Sequence, residues 1–157
     1  MKKRIKVAAT AGVIVTCIAC GAANANAQDT GHWRSATHRT EVMTGELTIA
    51  PENVTIYQSK FPMTFVRKLT PAEVGAVFDA DTNAGIGGKL YSMHVPPRVY
   101  YAGGDLICGN EFIRWMATYV AGRTLQIAFF SGDDVPVFTF DTIANSTALC
   151  GTYVYTR

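Results

Sequence analysis

The side chains that could carry out acid–base or metal chemistry are few and widely spaced. His94 together with acidic residues could act as a general acid or base, as in a hydrolase. His32 and His38 lie six residues apart near Asp29, a spacing that fits no standard metal-binding pattern. After residue 27 the sequence contains none of the short motifs typical of zinc proteases, serine hydrolases or thiol oxidoreductases. The sequence therefore names no reaction, and a hydrolase that uses His94 is one hypothesis among others.

One acidic segment has the beginning of a calcium-binding pattern. Asp79, Asp81 and Asn83 are spaced by two residues, as are the first three ligands of a calcium loop. The sixth position is Ala84 where the pattern has Gly, and the twelfth is Leu90 where it has a bidentate Glu. The alternative is a polar turn after a helix, in which Asp and Asn side chains bind the local backbone. We expect no metal and no cofactor, and these three residues are the candidate ligands if calcium does bind.

Residues 1–27 have the organisation of a bacterial secretion signal. A positively charged start precedes an apolar run of about 17 residues, and Ala25 and Ala27 form the small-residue site that a signal peptidase accepts. Cleavage after Ala27 would leave residues 28–157 as one domain in the periplasm or outside the cell. Two alternatives are a transmembrane anchor, for which the run is short, and a lipoprotein attached through Cys20.

The cysteines follow from this compartment. Cys17 and Cys20 belong to the signal, so Cys108 and Cys150 are the cysteines of the exported domain. Two cysteines in an oxidising compartment most often pair, which predicts a disulfide between Cys108 and Cys150. The alternative is a cysteine nucleophile, which needs a thiolate and a nearby base and which a disulfide would abolish.

Charge and composition exclude two classes of protein. The full sequence has a net charge of +2, but four of its 14 basic residues lie in residues 1–27 and all 12 acidic residues follow, which leaves the remaining chain at −2. This excludes a strongly basic nucleic-acid binder. The hydrophobic content of 48 % excludes a chain that is disordered for lack of apolar residues. No later apolar stretch is long enough to cross a bilayer, so no membrane span is expected after signal cleavage.

Tyrosines and an acidic turn supply the candidate binding residues. Tyr100 and Tyr101 precede a glycine turn, where at least one is expected to be exposed, and tyrosine is enriched at protein interfaces. Asp133 and Asp134 lie in a turn that would suit a cationic partner such as a lysozyme-like enzyme. Four other aromatic residues are expected in the core, namely Trp115, Phe129, Phe138 and Phe140.

The elements that would position these residues are mostly strands. Residues 45–50 and 53–57 alternate polar and apolar side chains on either side of a turn, which predicts a hairpin. Residues 63–68 are a third candidate strand. Further strands are predicted at residues 89–95, 112–120, 124–130, 135–140 and 149–156.

A single helix has clear start signals. Thr70 can cap it, Pro71 suits its first position, and Glu73 completes a capping box, which predicts a short helix near residues 71–79. Residues 28–44 are polar and form either a flexible arm or the first strand. Strands at short intervals with one helix predict a mainly β domain, a small antiparallel barrel or sandwich with one disulfide.

Residues 104–108 and 149–153 resemble the segments that frame the disulfide in small exported bacterial β domains. Over residues 45–157 the plan is similar to that of the periplasmic lysozyme inhibitors, which combine a signal, a compact β-barrel and a bridge to the last strand. Those inhibitors insert a Ser-Gly-x-x-Tyr segment into the lysozyme cleft. Ser131 begins a similar segment here, but Val135 stands where tyrosine is expected. The resemblance implies a barrel and an inhibitory role, and no inhibitory residue is carried over.

Three functions are compatible with the sequence. The first hypothesis is an exported, non-catalytic binding protein of the bacterial envelope, such as an inhibitor or immunity protein. Its partner would be another envelope or extracellular protein. The alternatives are a barrel that carries a small ligand and the hydrolase that uses His94.

Overall fold

A computed structural model describes residues 28–81, 87–97 and 106–157. They form a closed antiparallel barrel of eight strands, in which each strand pairs with the next in sequence and the last pairs with the first. The strands are Gly31–Ser35 (β1), Leu47–Ala50 (β2), Asn53–Ile56 (β3), Ser59–Leu69 (β4), Gly88–Val95 (β5), Ile113–Ala121 (β6), Thr124–Phe130 (β7) and Leu149–Thr156 (β8). The helices are His38–Thr44 (α1), Pro71–Phe78 (α2) and Phe140–Ala144 (α3). In the described ranges, no helix is long and apolar enough to span a membrane.

The inside of the barrel is filled by every second residue of the strands. Side chains alternate between the two faces of a strand, so Leu47 and Ile49 of β2 both point inward and are buried. Burying one such side chain contributes about 1.5–3 kcal/mol, which makes this cluster the main source of stability. Its other large members are Trp33, Val54, Ile56, Phe61, Met63, Tyr91, Met93, Val95, Ile107, Ile113, Met116, Val120, Leu125, Ile127, Phe129, Tyr153 and Tyr155.

A second apolar cluster covers the outer face of the barrel. Helix α2 contributes Val74, Val77 and Phe78, and the chain after β7 contributes Phe138. These side chains pack on outward-facing residues of β4 to β7, namely Leu69, Leu90, Ala117, Tyr119, Ala128 and Phe130. The β7–β8 connection is therefore attached to the barrel along its outer face as well as at its two ends.

The predicted helix start is confirmed in atomic detail. The Thr70 side chain accepts a hydrogen bond from the backbone N–H of Glu73, and the Glu73 carboxylate accepts one from the backbone N–H of Thr70 at 2.8 Å. Pro71 occupies the first helical turn, and Asp79 ends the helix in the left-handed conformation with φ 47°. The capping box thus fixes where β4 ends and α2 begins.

The sequence interpretation missed helices α1 and α3, and the predicted strand at residues 135–140 was wrong. Residues 135–139 form no strand, and α3 begins at Phe140. Pro136 cannot donate to a strand ladder, and Thr139 caps α3 with its side chain. Of the two alternatives for residues 28–44, the structure contains the strand: β1 is followed by α1.

The predicted disulfide is present. Cys108 and Cys150 are bonded, with their Cα atoms 4.7 Å apart. Cys108 lies in the β5–β6 connection, whereas Cys150 lies at the beginning of β8. Joining two cysteines that lie far apart in the sequence reduces the entropy of the unfolded chain. On the chain-entropy account this stabilises the fold by about 4 kcal/mol.

Candidate binding surface at the disulfide-linked connections

Two long connections leave the same end of the barrel. The β5–β6 connection spans residues 96–112, and the β7–β8 connection spans residues 131–148. Because neighbouring strands run antiparallel, both connections start and finish at one end of the barrel, where the bond between Cys108 and Cys150 joins them. Loops held by a rigid scaffold are where proteins most often place binding residues.

A β-bulge brings His94 of β5 beside Arg114 of β6. The pairing register of these strands shifts between Ser92 and Val95, and both side chains lie at that shift. Arg114 donates a hydrogen bond from Nη1 to Nδ1 of His94. Its Nη2 lies 3.0 Å from Oδ1 of Asp133. Arg114 therefore links β5 to the β7–β8 connection through its own guanidinium.

Phe112 completes this cluster. Its ring centre lies 4.5 Å from that of His94, and the guanidinium carbon of Arg114 lies 5.4 Å from the Phe112 ring centre. A guanidinium can only donate, so Nδ1 of His94 must act as the acceptor. In catalytic triads a carboxylate orients the histidine base, whereas the hydrogen-bond partner found for His94 is a cation.

The turn after β7 is held by hydrogen bonds on both sides. Gly132 has φ 83°, a conformation that other residues adopt only with strain. Trp115 of β6 donates from Nε1 to the Gly132 carbonyl oxygen at 3.1 Å, and the backbone N–H of Ser131 donates to the Ala148 carbonyl oxygen at 2.8 Å. The two ends of the β7–β8 connection are thereby fixed to each other and to β6.

Three exposed apolar side chains and three exposed carboxylates follow this turn. Val135, Val137 and Phe140 are 49 %, 59 % and 66 % exposed. A hollow of about 260 Å³ opens beside Val135 and Val137. We name this region the apolar–acidic surface, and it comprises Asp133, Asp134, Val135, Val137, Phe140 and Asp141.

A buried aromatic residue anchors the middle of the surface. The Phe138 ring packs against Phe130 with ring centres 5.6 Å apart, and the Arg67 guanidinium lies 5.7 Å from the Phe138 ring centre. The expectation of a core position is confirmed for Phe129 and Phe138, whereas Trp115 is only partly buried and Phe140 is exposed. Phe140 opens α3 and points into solvent, because Phe138 already fills the space against the barrel.

The structure brings together part of the predicted binding set. Asp133 and Asp134 are exposed in the turn, as the sequence suggested. Tyr100 and Tyr101 lie outside the described residues, and their predicted role stays a prediction. His94 was a candidate catalytic residue and not part of the predicted binding set. The structure connects it to Asp133 through Arg114.

Sequence reasoning missed the apolar members of the surface. Val135 and Val137 were assigned to a strand, but Pro136 between them was a signal against that assignment. Val137 is exposed and Phe138 is buried. Periodicity alone cannot distinguish this alternation from the alternation of side chains along a strand.

The candidate metal ligands are only partly within the described ranges. Asp79 serves as the end of α2, and the backbone carbonyl of Asp81 accepts a hydrogen bond from the Tyr119 hydroxyl at 2.9 Å. Asn83 lies outside the described residues. Within the three described ranges, no three His, Cys, Asp or Glu residues are grouped so that they could hold a metal ion.

The two amino-terminal histidines have separate partners. Nε2 of His32 lies 3.3 Å from a carboxylate oxygen of Glu46, and Nδ1 of His38 lies 3.7 Å from one of Glu41. All four side chains are largely exposed. The structure thus does not join His32 and His38 in one site.

A groove of about 670 Å³ lies between α1 and the β3–β4 turn. Tyr57 in this turn donates from its hydroxyl to the carbonyl oxygens of Glu41 and Val42 near the end of α1. Burial, and then the nearby Glu41 carboxylate, raise the pKa of Tyr57. The hydroxyl ties the helix to the turn, so Tyr57 has a structural role here.

Comparisons with known proteins do not assign this chain to a group. No family model matches it, and no curated protein or solved structure matches it significantly.

Proposed function

We propose that this chain is an exported, non-catalytic binding protein that docks a positively charged protein through its apolar–acidic surface. One observation carries the proposal: three apolar side chains are exposed on one short, well-anchored segment among three exposed carboxylates. Exposed apolar side chains close together on one short segment mark a candidate interaction site.

The composition of the surface matches the anatomy of a protein interface. Affinity usually comes from a few large side chains near the centre of an interface, and Val137 and Phe140 offer such a centre. The carboxylates of Asp134 and Asp141 would lie at the polar rim. Negative rim charges attract a cationic partner over distance and speed its association.

The scaffold favours tight binding by being ordered beforehand. The turn at Gly132, the buried Phe138 and the disulfide at Cys150 hold the segment before any partner arrives. A segment that is already ordered loses less conformational entropy when it binds. This is the property expected of an inhibitor or immunity protein, which must hold another protein in one position.

The sequence and the disulfide support a place outside the cytoplasm. The pattern of residues 1–27 is that of a secretion signal, and disulfides persist mainly in oxidising compartments. We place the mature chain in the periplasm or outside the cell, and attachment through Cys20 is the alternative.

The geometry gives less support to the two alternative functions. For a ligand-carrying barrel, the described strands fill the interior with large side chains such as Trp33, Tyr153 and Phe129. For a hydrolase, His94 lies against Phe112 and hydrogen-bonds to Arg114, and within the described ranges no carboxylate is seen to orient it.

The proposal is tested by crosslinking the tagged protein in native envelope extract and identifying the captured protein by mass spectrometry. We expect one basic protein, whose purified form binds the wild type with an affinity that falls as salt rises. The double substitution Val137→Ser and Phe140→Ser should abolish this binding. The matched control is Phe65→Ser with Val66→Ser, two residues that are each 41 % exposed on β4.

Three results would contradict the proposal. One is capture of no protein by the wild type, and another is an acidic partner. The third is a partner that the β4 control loses and the Val137 and Phe140 variant keeps. A c-type lysozyme, which is strongly basic, is a suitable first purified probe because of the resemblance to lysozyme inhibitors.

A further inference from the structure

A carboxylate lies inside the other end of the barrel. Asp29 precedes β1, and its Oδ1 is 2.6 Å from Nζ of Lys89. Its Oδ2 accepts hydrogen bonds from the Tyr91 hydroxyl at 2.7 Å and from the Thr118 hydroxyl at 3.1 Å. Both oxygens of one carboxylate are thus bound by three side chains of β5 and β6.

This arrangement is almost completely shielded from water. Asp29 is 1 % exposed and Lys89 is 7 % exposed, and Tyr91 and Thr118 are also buried. Burying charged groups is unfavourable unless they are paired and hydrogen-bonded. Burial, and then the hydrogen bond to Asp29, raise the pKa of Tyr91, so its hydroxyl keeps its proton and remains a donor.

The donors and the acceptor belong to different parts of the fold. Lys89, Tyr91 and Thr118 lie on two adjacent long strands of the barrel wall. Asp29 belongs to a short segment outside the strand ladder. The three donors would therefore keep their positions if the segment that carries Asp29 were absent.

Backbone contacts also hold that short segment in place. Nη2 of Arg157 donates to the carbonyl oxygens of Gln28 at 2.8 Å and Thr30 at 2.7 Å. Nε1 of Trp33 donates to the carbonyl oxygen of Asp29 at 2.7 Å. These contacts are made to the backbone, so they do not depend on the carboxylate itself.

The geometry points to a carboxylate-binding site formed by Lys89, Tyr91 and Thr118, which Asp29 occupies in cis and which a free small monocarboxylate can occupy in its place. An ammonium and two hydroxyls on a rigid wall match the two oxygens of such a ligand. The apolar interior that surrounds them excludes water and strengthens these hydrogen bonds. This inference does not depend on the proposed function.

The test is chemical rescue of the exported protein carrying Asp29→Gly, with sodium acetate and sodium formate as probes. Melting temperature is measured at constant ionic strength while acetate replaces chloride. We expect the variant to melt below the wild type and to gain roughly 5 °C in acetate, with saturation as the site fills. The wild type should not respond, because its own carboxylate fills the site.

Two controls make the result specific. Asp134→Gly removes an exposed carboxylate and should melt equally in acetate and chloride. In the Asp29→Gly background, the additional substitution Lys89→Met should abolish the response to acetate. Contacts between labelled acetate and the Tyr91 ring, seen by NMR in Asp29→Gly alone, would locate the ligand.

The inference is overturned if folded Asp29→Gly melts at the same temperature in acetate, formate and chloride. If the variant does not fold in chloride, refolding in acetate becomes the readout. Recovery of native circular dichroism in acetate supports the site, and failure to recover in either carboxylate overturns it.

Discussion

The Arg157 guanidinium lies 4.0 Å from the centre of the Trp33 ring, and it bridges the amino-terminal segment to the end of β8. Trp33 is fully buried, so this contact covers one face of the largest side chain in the core. The same guanidinium donates to the carbonyl oxygens of Gln28 and Thr30. The Arg157 side chain therefore joins the segment that carries Asp29 to the Trp33 ring and to the end of β8.

Arg157→Ala should lower the free energy of unfolding by about 1–2 kcal/mol. It removes a cation–π contact and two hydrogen bonds to carbonyl oxygens, which together account for a loss of that size. Urea denaturation followed by tryptophan fluorescence measures it, with the exposed Lys60→Ala as control. A loss no larger than that of the control would show that Arg157 does not hold the segment.

Two tyrosines of β8 should respond in opposite directions to removal of the hydroxyl. Tyr153 is buried and its hydroxyl has no hydrogen-bond partner in the described part of the chain, whereas the Tyr155 hydroxyl donates to Oγ1 of Thr44. An unpaired buried hydroxyl is unfavourable. Tyr153→Phe should therefore stabilise the fold by about 1 kcal/mol, and Tyr155→Phe should destabilise it by about the same amount.

Equilibrium unfolding of the two variants beside the wild type provides the measurement. Burial also raises the pKa of Tyr153, so alkaline difference spectra should show this phenol ionising only when the protein unfolds. If both variants lose stability equally, the Tyr153 hydroxyl has a partner in solution.

Phe138 and Phe140 form a matched pair that separates anchoring from binding. Phe138→Ala should cost about 3–4 kcal/mol, because it empties a packed position on the barrel. Phe140→Ala should change stability by less than about 0.5 kcal/mol, because its side chain lies in solvent. Thermal unfolding of both variants checks this. Equal losses would mean that Phe140 is packed in solution.

Glu73 should make the fold sensitive to acid. The bidentate hydrogen bond from Arg67, together with the backbone N–H of Thr70, lowers the pKa of Glu73 from 4.5 to about 2. Because the pKa of Glu73 is lower in the folded than in the unfolded state, the ionised carboxylate stabilises the fold at pH values above the unfolded pKa. That stability is lost as the pH falls from 4.5 through the folded pKa.

The free energy of unfolding is measured from pH 5 down to pH 2 for the wild type and for Glu73→Gln, and the two curves are compared. The variant cannot ionise at this position, so its stability should fall less steeply over this range. Glu52→Gln, which alters an exposed glutamate in the β2–β3 turn, is the control. Parallel curves for the wild type and Glu73→Gln would rule out the proposed coupling to Arg67.

The disulfide should account for both cysteines of residues 28–157. Thiol titration of the denatured, unreduced protein should find no free thiol. Replacing Cys108 and Cys150 with serine should lower stability by about 4 kcal/mol. Detection of two thiols per chain would show that the bridge does not form in solution.

The elements that the sequence predicted well are those whose signals are local. The capping box at Thr70 and the alternation in β2 and β3 depend on neighbouring residues, and both are confirmed. Helix α3 was missed, because the apolar alternation that ends at Phe140 fits a strand equally well. Phe140 can be assigned to the start of a helix only when Phe138 is known to fill the space against the barrel. Propensity and periodicity contain no information about which side of a segment the barrel will cover.

The candidate sites were harder to predict for the same reason. Asp133 was chosen from its place in an acidic turn, but its link to His94 depends on Arg114 and on a register shift between two strands. The partners of Asp29 lie 60 to 89 residues away in sequence. Only the closed barrel brings such distant residues together.

The closed order of the strands also determines which strand pairing requires the longest loop to close. Each strand up to β7 pairs with the strand that follows it, so these pairings join residues close in sequence. The exception in the described barrel is the pairing of β1 with β8, which joins Arg34 to Thr156. Closing so long a loop has a large entropic cost, and folding rates fall as contacts become less local. A circular permutant that links residue 157 to residue 28 would make this seam a local contact, and the long-range closure would pass to the two strands between which the new ends are cut.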